Sequence, residues 1–233
     1  MDGHGFTFRL FDVRLDLCAM KVGTVGVVLG AWAAGGRRIL DIGTGTGLIA
    51  LMMAQRFEEA RVCGIDIDDG ACRQAMANVA GSRFAARIEI CHSRLQDFSP
   101  AVTFDSIVSN PPFFTNSLKC PDARRSTARH ADTLPFTDLF RGVGRLLDAD
   151  GVFSAVIPAD AEGGFSAEAS FVGLVKVRRC LVRTTPRKAP KRVLLSFAWH
   201  RTGACDTEEA AMMDVDGNRS EWYRRLTDGF YLK

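Results

Sequence analysis

No Cys-x-x-Cys pair occurs in this 233-residue chain, although seven cysteines are scattered through it, at 18, 63, 72, 91, 120, 180 and 205. An odd count at irregular spacing speaks against a disulfide framework or a zinc site and fits thiols kept reduced. Long apolar runs are also missing. The most apolar early stretch, 22–34, is too short to span a bilayer and is broken by glycines. The first residues lack the basic start of a secretory signal. Internal repeats and low-complexity segments are absent, and neither sign of charge dominates, the net charge being +3. What remains is a chain with 47% hydrophobic and 24% charged residues, long enough to bury a core without metal or disulfide staples. The expectation is a cytoplasmic protein, monomeric by default, with no membrane segment and no metal.

Several short apolar runs end in a polar residue at a turn. Residues 38–42 end at Ile42 just past Asp41, 61–66 end at Asp66, 87–91 form a third run, and 104–109 lead into Asn110. Between them, 48–54 and 68–80 have helix-forming composition, with Asp68 or Asp69 placed to cap the second. A further helix over 135–147 and a strand over 151–157 continue the alternation. Strands alternating with helices predict parallel βαβ units. Two β-rich runs, 175–185 and 192–199, are joined by a short segment with Pro186 and Pro190, which reads as a hairpin. An α/β fold follows: one Rossmann-like domain over 1–233, a mostly parallel seven-stranded sheet closed by a C-terminal antiparallel hairpin, the layout of class I methyltransferases. Residues 1–36 are expected to pack on the sheet as an N-terminal extension.

The turn after the first strand reads Asp41-Ile42-Gly43-Thr44-Gly45-Thr46-Gly47. Glycines there permit positive φ and close approach of a ligand. A dinucleotide fingerprint requires glycine or alanine at 48 when counted from Gly43, and Leu48 stands there. The alternating glycines behind Asp41 suit a ligand carrying an ammonium group rather than a pyrophosphate. Asp66, about twenty residues on, stands where a carboxylate can accept from ribose hydroxyls. S-adenosylmethionine satisfies both conditions.

Asn110-Pro111-Pro112-Phe113 directly follows the fourth strand. Two prolines fix φ and remove donors, and Asn110 before proline is held extended. The Asn110 side-chain oxygen and the Pro111 carbonyl can together accept both hydrogens of an amino group conjugated to a ring. That directs the nitrogen lone pair at a methyl donor. Phe113 offers a stacking face for a flipped base. By itself this loop selects amino nitrogens and leaves adenine N6, guanine N2 and glutamine N5 open. From 176 to 192 run eight basic residues without an acid, including Arg183, Arg187, Lys188, Lys191 and Arg192; Arg124, Arg125 and Arg129 form a second basic patch. Both are candidate phosphate contacts.

Four stretches carry a resemblance to a known family: Phe6-Thr7-Phe8 with Cys18-Ala19-Met20-Lys21-Val22-Gly23-Thr24; Leu29-Gly30-Ala31-Trp32-Ala33 with the glycine turn; Ser109 with the Asn110 loop; and Lys191-Arg192-Val193-Leu194-Leu195 with Phe230-Tyr231-Leu232. On these the chain resembles the bacterial tRNA1(Val) adenine-37 N6-methyltransferases. The resemblance implies tRNA as partner, S-adenosylmethionine as cofactor, and Lys21 and Thr24 in a loop closing over it. Asn110, Pro111, Pro112 and Phe113 then take the acceptor side, and Asp41, Gly43, Gly45, Gly47 and Asp66 the cofactor side. A ribosomal RNA guanine N2-methyltransferase, a glutamine N5 protein methyltransferase and an RNA-binding module with a relict pocket are the alternatives. Two residues depart from the family: Val25 replaces an acid after Thr24, and Arg94 stands where relatives have an acid facing the cofactor's adenine amine.

Overall fold

Five short strands with alternating or continuous apolar character lie side by side and parallel in the computed structural model, which describes residues 5–16, 23–112 and 134–232. They are β3 (Arg38–Ile42), β4 (Arg61–Asp66), β5 (Ile88–His92), β6 (Phe104–Ser109) and β7 (Leu147–Pro158). β9 (Arg192–Ala198) runs antiparallel to both β7 and β8 (Val175–Arg183). The expected hairpin is therefore present, with its second strand inserted beside β7. An eighth strand extends the expected seven: β10 (Asp206–Ala211) pairs parallel to β8. The order across the sheet is β10-β8-β9-β7-β6-β3-β4-β5.

Strand residues alternate between two cores, as a period of two requires. On β9, Leu194 faces one and Val193, Leu195 and Phe197 the other. The first core packs under α1 (Thr24–Trp32), α2 (Leu48–Arg56) and the end of α3 (Asp69–Ala80). Gly30 lets α1 approach α2, since a Cβ there would sit 2.8 Å from the Met52 sulfur. The second core packs under α4 (Phe136–Leu146) and α5 (Glu162–Phe171). Phe140, Phe153, Phe165 and Phe197 are fully buried there, with ring centroids 4.7 to 6.4 Å apart. Burying each ring stabilises the fold by about 1.5–3 kcal/mol. That fixes α4, the helix that resumes after the Asn110 loop.

The N-terminal extension forms a small hairpin, β1 (Gly5–Thr7) with β2 (Asp12–Arg14). Phe8, Phe11 and Val13 are buried in the first core. Asn78 on α3 clamps this hairpin: its Oδ1 accepts from Arg14 N at 2.9 Å and its Nδ2 donates to Arg14 O at 3.1 Å. The same Nδ2 donates to Thr46 O at 2.9 Å, so the extension is tied to the glycine turn. The chain's end returns to the same place through α6 (Glu221–Thr227), with Arg9 N donating to Phe230 O at 2.7 Å.

Candidate active site

The turn between β3 and α2 takes a path that side chains oppose. Gly43, Gly45 and Gly47 have φ of 71, 55 and 80°, a region costing other residues about 1–2 kcal/mol each. Neighbouring strands hold it in place. Gly43 N and Thr44 N donate to Ile65 O at 2.9 and 3.0 Å, and Gly45 N donates to Asp66 Oδ2 at 2.8 Å. The other Asp66 oxygen accepts from Asp68 N at 3.0 Å. Asp68 caps α3 by accepting from Ala71 N.

Asp41 is completely buried behind this turn. Its Oδ2 accepts from the Thr44 hydroxyl at 2.7 Å, and its Oδ1 has no partner among the described residues. Burial pushes its carboxyl up to about 7; the Thr44 hydrogen bond opposes this and the charge of Asp66 adds to it. A nearby cation would favour the ionised form.

Along the edge where the parallel strands end lies a cavity of about 530 Å³. Gly43 and Asp66 line it from β3 and β4, and Asn110, Pro111 and Pro112 from beyond β6. The two halves inferred separately from the sequence thus share one chamber. Ser109 sets the end of β6 by donating from Oγ to Ile42 O at 2.9 Å. From there Asn110 and Pro112 are exposed and Pro111 is buried. Asp41, Gly45 and Gly47 shape the wall from behind without lining it, and Thr24 starts α1 with its side chain exposed, away from the lining. Lys21, Phe113, Arg124, Arg125 and Arg129 lie outside the described residues.

Sequence reasoning placed Asp66 and Arg94 at this end and missed Ile67 and Gln96. Ile67 lines the cavity with 48% of its surface exposed, a flat apolar shelf for a ring. His92 fixes it by donating from Nε2 to Ile67 O at 2.9 Å. An apolar residue directly after the acid was the available signal. Ser93, Arg94, Leu95 and Gln96 complete that end, and Leu134 closes the side near α4. Arg94 is 3.9 Å from Asp97.

The basic run 176–192 divides into two parts. Along β8 the cations meet acids from elsewhere in the fold. Lys176 and Arg179 both contact Glu162, at 2.7 and 2.8 Å; Arg178 contacts Asp206 and Glu208 while lying 4.2 Å over the Trp32 ring. Arg183 pairs with Glu209 at 2.8 Å and also donates to Lys188 O at 3.0 Å. Arg183, a candidate phosphate contact by sequence, is thus already engaged by an acid: the absence of acids within the run said nothing about acids brought by α5 and β10. The β8–β9 turn differs. Arg187, Lys188 and Lys191 are exposed and Arg192 is half-buried, with no ion pair among the described residues. Arg192 pairs in register with Pro158, the last residue of β7, so the turn stands on the same sheet edge as Asn110.

Among the described residues, no group of three or more His, Cys, Asp or Glu could hold a metal, and no helix is long and apolar enough to cross a membrane. The family model for the Methyltransferase small domain matches residues 28–134. In solved structures, the fold is similar to a predicted O-methyltransferase from Agrobacterium tumefaciens, with a TM-score of 0.66 at 18% identity over 87% of this chain and 95% of that one. P. horikoshii TYW2 in complex with MeSAdo matches with a TM-score of 0.60 at 13% identity, covering 83% and 69%. Curated relatives are much more similar in sequence. The tRNA1(Val) (adenine(37)-N6)-methyltransferase of Bacteroides fragilis is 47% identical, covering 98% of each chain, and that of Klebsiella pneumoniae 38%, covering 98% of this chain and 95% of its own. At such identity over nearly full length, this chain belongs to the tRNA1(Val) (adenine(37)-N6)-methyltransferase family.

Proposed function

We propose that the protein methylates N6 of an adenine in tRNA, at position 37 beside the anticodon of a valine tRNA, with S-adenosylmethionine as methyl donor. The observation carrying this reading is the shared cavity, which has Gly43 and Asp66 at one side and Asn110 and Pro111 at the other. The residues fit that cofactor. A buried carboxylate with an unpartnered oxygen stands behind the glycine turn, suited to a nearby ammonium, and Gly43 leaves open space where a Cβ would stand. When bound, S-adenosylmethionine supplies an electrophilic methyl group and a neutral thioether as leaving group.

The chain's own residues then divide the work. Asp66 accepts from ribose hydroxyls with the lone pairs that Gly45 N and Asp68 N leave free. Ile67 supports the cofactor's base, and the glycine turn admits the amino acid portion. Asn110 Oδ1 and the Pro111 carbonyl accept the two hydrogens of the target amine, holding its lone pair toward the methyl group. The methylated nitrogen is strongly acidic and releases its proton without a dedicated base. Arg187, Lys188, Lys191 and Arg192 hold phosphates beside the cavity mouth, helped by Arg124, Arg125 and Arg129. Lys21, Thr24 and Phe113 retain the closing and stacking roles implied by the family, and the chain acts as one catalytic unit. Transfer of labelled methyl groups to tRNA, followed by nucleoside mass spectrometry, tests the assignment. N6-methyladenosine is the expected product; N2-methylguanosine or no product overturns it.

A further inference from the structure

The sheet order puts Asn110 after β6, Gly43 after β3, Asp66 after β4 and Ser93 after β5, in that sequence along one edge. A nucleoside whose ribose meets Asp66 and whose reactive end meets Asn110 therefore directs its base toward Ser93, Arg94, Leu95 and Gln96. An adenine presents there an exocyclic amine, which needs an acceptor. Arg94 offers donors only. Leu95 is buried and apolar, while Ser93 Oγ sends its proton to Arg94 O at 3.0 Å and keeps acceptor lone pairs, which makes it the competitor to be tested. Gln96 lines the cavity and is built differently. Its Nε2 donates to Asp138 Oδ2, on α4, at 3.2 Å.

This contact decides which end of the amide is free. An ionised carboxylate has no proton to give, so Asp138 accepts only from the amide nitrogen and rejects the flipped amide. Asp138 also has Arg141 at 3.8 Å. Oε1 has no partner among the described residues. We infer that Gln96 reads the cofactor's adenine amine through Oε1, and that Asp138 is the positioning residue that fixes this polarity. The inference rests on the cofactor reading given above. It also gives a chain with arginine at 94 an acceptor for an amino-purine, two residues along the loop and in the form of a neutral amide.

The test compares two ligands by calorimetry, S-adenosylhomocysteine and S-inosylhomocysteine, which carries a carbonyl oxygen in place of the amine. The wild-type protein is expected to favour the adenosyl ligand by about tenfold or more, because an acceptor facing an acceptor is rejected. Gln96→Leu should bring the ratio close to one, mainly by weakening the adenosyl ligand. Asp138→Asn should narrow the ratio from the other side. Asparagine has both a donor and an acceptor, so the Gln96 amide can turn and offer its NH₂ to the inosyl oxygen; the inosyl ligand then binds more tightly while the adenosyl ligand is little changed. A purely structural role for either residue would weaken both ligands equally. An unchanged ratio in Gln96→Leu, or loss of discrimination in Ser93→Ala instead, overturns the assignment. Failure of the wild-type protein to bind S-adenosylhomocysteine would overturn the cofactor reading itself, and this assignment with it.

Discussion

The β3–α2 turn and the β8–β9 hairpin handle polar groups in opposite ways. The turn is held by its own N–H groups donating to the adjacent strand, at Ile65 O and Asp66, and its strain is carried by glycines. The hairpin's body is held by side-chain carboxylates from outside the hairpin, Glu162 on α5 and Asp206, Glu208 and Glu209 on β10. Only its tip, Arg187 to Arg192, keeps its charge toward solvent. Clustered charge is therefore two things in one hairpin: a fastening for an edge strand along β8, and a free cationic surface at the turn beside the cavity.

The comparison can be broken at its functional end first. Asn110→Ala should lower methyl transfer about 10²–10³-fold while leaving thermal unfolding unchanged; activity near wild type would remove Asn110 from the mechanism. The fastening comes next. Glu162 is desolvated, which alone would raise its pKa, but hydrogen bonds from Arg179 and Lys176 pull it below the usual value. Glu162→Ala strands two half-buried cations and should cost about 1–3 kcal/mol in a denaturant melt. Because the folded-state pKa is lowered, the wild-type contribution is present above the ordinary glutamate pKa. It is lost as pH falls through the folded-state value, and the variant should lack that acid-dependent loss.

Gly47→Ala probes the turn itself. At φ 80° it should cost about 1–2 kcal/mol, and calorimetry with S-adenosylhomocysteine should show weakened binding as well. Asp41 gives the turn a pH signature. Its pKa of about 7 lies above the unfolded value of 3.8, so the ligand-free protein should lose stability as pH rises from 4 to 7. A rise from pH 6 to 8 should strengthen cofactor binding by up to about tenfold. Asp41→Asn should flatten both profiles. The smallest effect belongs to the hairpin tip: Lys188→Ala should weaken tRNA binding a few-fold and reduce the salt slope by about 1, with no change in melting. Arg183→Ala should do the reverse, lowering stability and sparing the salt slope.

Much of this architecture was legible because it depends on near neighbours. Five parallel strands and the C-terminal hairpin followed from runs of apolar residues between turn signals. Other elements escaped for definable reasons. α5 begins Glu162-Gly163-Gly164, which interrupts a helical pattern, and β10 reads Asp-Thr-Glu-Glu-Ala-Ala, with one β-branched residue. In register against β8 it brings Asp206, Glu208 and Glu209 to Arg178 and Arg183, pairs that no local pattern announces. In the site, Asp66 and Asn110 were visible as strand-terminal residues, whereas Ile67 and Gln96 carry no motif and gain meaning only from the cavity they line.

The sequence alone determined whatever one stretch of backbone imposes on itself: freedom for positive φ at Gly43, Gly45 and Gly47, two consecutive prolines without N–H donors after Asn110, and acids at the ends of strands. Tertiary structure decided which charges remain free, which end of the Gln96 amide faces the cavity, and how Asn78, 64 residues beyond Arg14, ties it to the glycine turn. The reason is the range of the interactions. Steric limits on φ act within a residue or two, but a hydrogen bond or ion pair needs a partner that only the folded chain brings within about 3 Å.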